Sequence, residues 1–118
     1  ALIRQHPAYT LSILERVPAF AEFAIDSANH HEWIDGQGYC RGLTGDALST
    51  TARILAVADV VDALSADRPY REGMPPDRVR AILDSEAGTH FDRTCVEVCD
   101  AEVLARATSE GAPVRNVA

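Results

Sequence analysis

No stretch of about eighteen consecutive apolar residues occurs in this chain, so nothing in it reads as a membrane-spanning helix. The opening residues, Ala1-Leu2-Ile3-Arg4-Gln5, lack the charged, apolar and cleavage regions of a secretory signal. A soluble chain at work in the cytoplasm is the expectation. Cysteine is scarce: Cys40, Cys95 and Cys99 are odd in number and form no Cys-x-x-Cys pair, which argues against a disulfide framework and a cysteine-built zinc site. They read as reduced, non-functional thiols. Positive charge is short as well, with 11 basic against 18 acidic residues and a net charge of -7. That balance repels polyanions and excludes a long nucleic acid as the natural partner, but not a small anionic ligand held by a few local arginines. Internal repeats are missing, and so is any strand-period segment of useful length.

What is present has ordinary globular composition, 47% hydrophobic and 25% charged over 118 residues, enough for one domain with a modest core. Pro7 followed by Leu11, Ile13, Leu14 and Val17 predicts a helix with His6 at its entrance. Past Pro18, the spacing of Phe20, Phe23, Ala24, Ala28 and His31 predicts a second helix with His30 and His31 at its C-terminal end. Gly36, Gly38, Gly42 and Gly45 make residues 33–46 an irregular loop. The run 48–66 has no Gly or Pro and is apolar on nearly every face, which predicts a central buried helix, ended by Arg68-Pro69-Tyr70-Arg71. Pro75-Pro76-Asp77 starts a further helix, with Val79, Ile82 and Leu83 on one face and Gly88 as its stop. One last helix is expected from the cap Asp92 to about Ala107, with a flexible tail over residues 108–118. The predicted architecture is an all-α helical bundle.

Within that frame a carboxylate in an apolar helix, Asp59, requires a partner, because burying an unpaired charge is costly. Arg53 and Arg68 lie too far along the helix axis to be automatic mates. His30 and His31 are better placed, and His6 offers a third imidazole. Adjacent histidines on a helix point about 100° apart, so this pair is expected to serve separate ions of a cluster. Imidazole and carboxylate without thiolate suit zinc, iron or manganese. Spacing alone leaves open capping or surface histidines and a salt-bridged aspartate.

Three blocks sharpen the reading: "HHEWIDGQGY" at residues 30–39, "ARILAVADVVDALSADRPYR" at 52–71 and "GTHFD" at 88–92. In that order they resemble the HD-GYP family, a branch of the HD-domain metal-dependent phosphohydrolases, from about His6 to Val98. The resemblance implies an HD-domain-like helical fold that holds two or three divalent ions, commonly iron or manganese, and hydrolyses cyclic di-GMP. It implies metal ligation by His6, His30, His31 and Asp59. It places Gly38, Tyr39, Arg68 and Arg71 at the substrate, where arginine forks suit phosphate oxygens. Glu32, Asp35 and Asp62 are read as supports: the first two orient histidine N–H groups or fix the loop, and Asp62 makes an internal hydrogen bond.

The family's His-Asp dipeptide occurs nowhere in these 118 residues, and its upstream lysine and histidine ligand are absent too. Residues 1–107 therefore read as the C-terminal part of an HD-GYP domain, incomplete at the N-terminus. The retained ligands favour a piece of a working enzyme over a degenerate, non-catalytic nucleotide-binding or interaction module. The piece alone is expected to be weakly active or inactive. Cys40 stands for the proline of the GYP step, Thr10 for a usual glycine and Arg93 for a proline after "HFD". An upstream receiver or sensory domain and a homodimer go with the family, and an HD-type phosphohydrolase on another phosphodiester is the broader alternative.

Overall fold

Prolines and capping side chains set the helix boundaries in the computed structural model, which describes residues 2–39 and 41–109. Cys40 and residues 110–118, where the loop substitution and most of the expected tail fall, lie outside the described residues. A 3-10 turn, Leu2–Gln5, leads into α1, His6–Leu14, whose first turn carries Pro7 where no N–H is needed. A short connection through Pro18 reaches α2, Ala21–Ala28. After the glycine-rich loop, Ser49 accepts the Ala52 N–H and opens α3, Thr50–Ser65. Pro75 and Pro76 open α4, Pro76–Glu86, and Gly88 follows its end at a φ of 88°. Asp92 caps α5, Arg93–Val98, through the Cys95 N–H, as its position predicts. Helix α6, Ala101–Ser109, closes the described chain and takes in the first residues of the expected tail. The all-α reading holds: among the described residues only isolated β-bridges occur.

The single last helix of the sequence reading is in fact two. Asp100 accepts hydrogen bonds from the Glu102 and Val103 N–H groups, at 3.0 Å each, so it caps a new helix instead of continuing the old one. The core lies where α3 meets α4, α5 and α6, and Val79, Leu83, Val96 and Leu104 are almost fully buried there with Val57, Val61 and Phe91 around them. Each such side chain contributes about 1.5–3 kcal/mol by leaving water.

Helix α3 is not buried all round, which corrects the expectation. Ala52, Ala56, Val57, Val61 and Ser65 face the core, whereas Ile54, Leu55, Ala58, Asp59 and Asp62 are exposed. The desolvation argument for Asp59 therefore does not apply. The α1–α2 pair is likewise open on one side, where Ile13, Phe20, Phe23 and Ile25 are half exposed or more. Its own packing is mutual: the two short helices run antiparallel, and α2 leans on α3.

Candidate metal centre

An antiparallel pair of helices of nearly equal length brings the start of the first beside the end of the second. Helices α1 and α2 have nine and eight residues, so His6 at the first position of α1 meets the residues just past Ala28. Asn29 ends α2, and His30 and His31 lie in the turn beyond it. Outside a regular helix the 100° argument lapses, and both imidazoles turn to the same neighbour. His6 Nε2 is 3.3 Å from His30 Nε2 and 3.0 Å from His31 Nε2. Ligand atoms of all three residues lie within 4.8 Å of one another, close enough to share one ion.

These separations fit a metal. Bonds of about 2.1 Å place neighbouring ligand nitrogens about 3.0 Å apart at a right angle and about 3.4 Å apart at the tetrahedral angle. The tautomer fits too. His30 Nδ1–H donates to the Ser27 carbonyl, which leaves Nε2 with its lone pair toward the cluster. Burial first, and then the His30 and His6 imidazoles, push His31 down to about 4, while the Asp59 carboxylate pulls the other way. His31 is thus neutral at pH 7, the state a ligand needs. Asp59 itself is exposed on α3, outside the three-histidine group but close enough for its charge to act on His31.

The loop after the histidines is fastened at several points. Glu32 is buried to 1% exposure, and its two carboxylate oxygens accept the Arg41 N–H at 2.6 Å and the Leu43 N–H at 2.9 Å. It fixes the loop; its oxygens point to amides and not to histidine N–H groups. Asp35 accepts the Gln37 N–H at 2.9 Å, a local turn just before the strained ground of Gly36 at a φ of 80°. Gly38 passes directly under the backbone of residues 31–33. A Cβ there would come within 3.0 Å of the His31 carbonyl oxygen, the Glu32 carbonyl carbon and the Trp33 nitrogen. Tyr39 follows, its N–H donating to the His31 carbonyl at 3.0 Å and its ring stacked on His31 with centroids 4.9 Å apart and planes 18° apart.

Beyond the α3 terminus the two arginines of the "RPYR" step part company. Arg71 turns back on the helix: Nη2 donates to the Ala63 carbonyl at 2.7 Å and Nη1 to the Leu64 carbonyl at 3.4 Å. It satisfies carbonyls that a helix end leaves unpaired. Arg68 is joined to Arg71 by paired backbone hydrogen bonds, 2.7 and 3.1 Å, and its side chain is exposed. Asp62 sits exposed on the rim of an apolar groove between α3, α5 and α6.

Sequence reasoning missed the clamp that sets this loop on the bundle. Trp33 stacks on His90 with centroids 3.6 Å apart, and His90 Nδ1 lies 3.3 Å from Glu86 Oε2. Ile34 and Asp35 N–H groups donate to the His90 and Thr89 carbonyls at 3.3 and 3.0 Å. Asp92 of the same turn pairs with Arg53 of α3 at 3.1 Å, and Arg53 also donates to the Gly45 carbonyl. The "GTHFD" turn thus joins the histidine loop to the helix that carries Asp59. Nothing in the spacing of Trp33 and His90 announces their meeting.

The profile of the HD domain matches residues 1–95. The chain belongs to the HD-domain family. The HD-GYP assignment read from the three motif blocks stands with it. HD-domain phosphohydrolases depend on metal, and the three-histidine group is a donor set of that kind. Among its relatives, the chain is 44% identical over 93 residues to a 3'3'-cGAMP-specific phosphodiesterase of Vibrio cholerae, covering 79% of this chain and 20% of that protein. It is 47% identical over 74 residues to a cyclic di-GMP phosphodiesterase response regulator of Xanthomonas campestris, covering 63% and 20%. A cyclic di-GMP phosphodiesterase of Thermotoga maritima is 33% identical over 98 residues, covering 81% and 27%. The chain therefore spans about a fifth to a quarter of the length of these relatives. No helix among the described residues is long and apolar enough to cross a membrane.

Proposed function

We propose that this chain is part of a metal-dependent phosphodiesterase that hydrolyses cyclic di-GMP, with His6, His30, His31 and Asp59 as its metal ligands. The observation that carries the reading is the meeting of three imidazole nitrogens, at 3.0 and 3.3 Å, in a chain whose relatives are named for cyclic dinucleotide hydrolysis. Two or three ions, iron or manganese, suit a set of imidazole and carboxylate without thiolate. When bound, they polarise the phosphoryl oxygen and lower the pKa of a coordinated water.

The chain's own residues prepare that site. Ser27 holds His30 by its Nδ1–H, and Tyr39 packs against His31, so two ligand rings are oriented before any ion arrives. Glu32 and the close approach at Gly38 keep the loop folded over them. Gly38 supports the substrate side by letting the chain pass, Arg71 by closing the end of α3, and Arg68 by offering a guanidinium to a phosphate. A cytoplasmic enzyme with an upstream receiver or sensory domain, working alone or as a homodimer, belongs to the same reading; one relative is named a response regulator.

The test is to load the full-length protein with iron or manganese and follow the linear dinucleotide and GMP. Absence of product with every metal sinks the proposal. A second substrate is favoured by the relative named 3'3'-cGAMP-specific, and equal amounts of the two cyclic dinucleotides in one assay separate them. Because no His-Asp dipeptide occurs in these residues, a non-catalytic nucleotide-binding module is the competing reading. Binding of cyclic di-GMP by a metal-free protein that never hydrolyses it is the result that would favour that module.

A further inference from the structure

One cation beside the histidines has no place in the reading so far. Arg4 lies two residues before His6, in the turn that leads into α1. Its guanidinium carbon is 5.2 Å from the centroid of the Tyr39 ring, and that ring is the one stacked at 4.9 Å on His31. The guanidinium is therefore no farther from the His31 ring than these two separations laid end to end. Arg4 is exposed, and among the described residues its N–H groups have no hydrogen-bond or ion-pair partner.

Four other arginines of the described motifs and loops are committed or lie elsewhere. Arg71 is spent on helix carbonyls, Arg53 on Asp92 and Gly45, and Arg41 donates to Asn29 at 3.1 Å. Arg68 lies beyond the end of α3, nine residues after Asp59. A guanidinium that stacks on a ring uses its face and leaves its N–H edge for acceptors in the same plane. In a bidentate pair with phosphate its central carbon is about 4 Å from phosphorus. Arg4 therefore stands one aromatic ring away from His31, and a substrate that extends past the three imidazoles can meet its N–H edge.

We infer that Arg4 is a substrate-binding residue, held by Tyr39 and donating to a phosphodiester oxygen of the cyclic dinucleotide at the histidine end of the site. The inference rests on the proposed phosphodiesterase reading and adds a residue to it. Tyr39 then has two tasks, to orient His31 and to aim Arg4.

The experiment compares wild type, Arg4→Gln and Arg4→Lys in the full-length metal-loaded protein. It measures binding of a phosphorothioate analogue of cyclic di-GMP, hydrolysis of cyclic di-GMP, and bound metal. Loss of a charge-assisted pair weakens analogue binding and raises KM by about 10- to 100-fold in Arg4→Gln. Bound metal stays at the wild-type level, kcat changes less than KM, and Arg4→Lys falls between the two. If wild type binds and Arg4→Gln binds equally well, the inference is overturned while the phosphodiesterase reading survives. Loss of metal in Arg4→Gln overturns it as well, since the residue would then serve the ligands. If wild type neither binds the analogue nor hydrolyses the substrate, both readings fall together.

Discussion

Replacing Glu32 separates two accounts of why a carboxylate sits almost fully buried next to the candidate ligands. If it holds the loop, both oxygens matter, because each accepts one backbone N–H, from Arg41 at 2.6 Å and from Leu43 at 2.9 Å. A hydrogen bond to a charged group contributes about 1.5–3 kcal/mol, so the two amount to about 3–6 kcal/mol before offsets. The offsets are release of a buried charge and hydration of the Arg41 amide, which belongs to an exposed residue. Glu32→Ala should then cost about 2–3 kcal/mol. Glu32→Gln keeps the shape but turns an NH2 toward one of the two N–H donors, and should cost nearly as much. Urea unfolding of the metal-free protein measures both variants. Because the loop follows His30 and His31 directly, metal affinity should fall about 10- to 100-fold, as for other groups that orient ligands. A Glu32→Gln protein within 0.5 kcal/mol of wild type, a margin typical of neutral surface changes, and with unchanged metal affinity would refute the loop-holding role.

Other substitutions probe the rest of the frame. Gly38→Ala forces the backbone of residues 31–33 to move, since no flexible side chain can yield there; a loss of about 1–3 kcal/mol and of metal binding should appear together in unfolding and metal titrations. His90→Ala removes the stack on Trp33, worth about 0.5–1.5 kcal/mol, and should weaken metal binding about 3- to 10-fold, with His90→Phe restoring it. The Cys95 N–H first, and then Arg53, hold the Asp92 carboxyl below the usual carboxylate range. A depressed carboxylate stabilises the fold above the unfolded-state value of about 3.9 and loses that contribution as pH falls through its lower folded value. Asp92→Asn keeps the cap but loses the charge that pairs with Arg53, and should be less stable than wild type by up to about 1 kcal/mol at pH 7, with the gap closing in acid, as thermal melts across pH would show.

Local signals carried much of this architecture. Pro7, Pro75 and Pro76, and Asp92 mark helix starts because each either lacks a donor or supplies an acceptor where the helix has spare N–H groups. Asp100 escaped notice because the same residue type sits as easily inside a helix as at a cap, and only its bonds to Glu102 and Val103 decide the matter. The burial of α3 was misjudged because composition shows that a helix is apolar but not which faces find a neighbour. Ile54 and Leu55 look like core residues by type and are exposed in fact.

The site was legible in part for the same reason. His6, His30 and His31 were recognisable by type and motif, yet their convergence depends on two helices of matched length running antiparallel, which spacing does not state. The helix geometry behind the expectation of separate ions does not apply to His30 and His31, because α2 stops at Ala28. Trp33 with His90, and Arg4 with Tyr39, are tertiary contacts between residues with no periodic relation. Arg71 shows the converse: a cation expected at the substrate that the structure turns onto the carbonyls of its own helix.

Metal binding by the three imidazoles is the centre of the account, and a cobalt(II) titration of the full-length protein, read by its visible d–d absorption, tests it most directly. Wild type should bind the ion with imidazole ligation, and His6→Ala, His30→Ala and His31→Ala should each weaken binding by at least about tenfold while remaining folded. Unchanged binding and an unchanged spectrum in all three variants would contradict it.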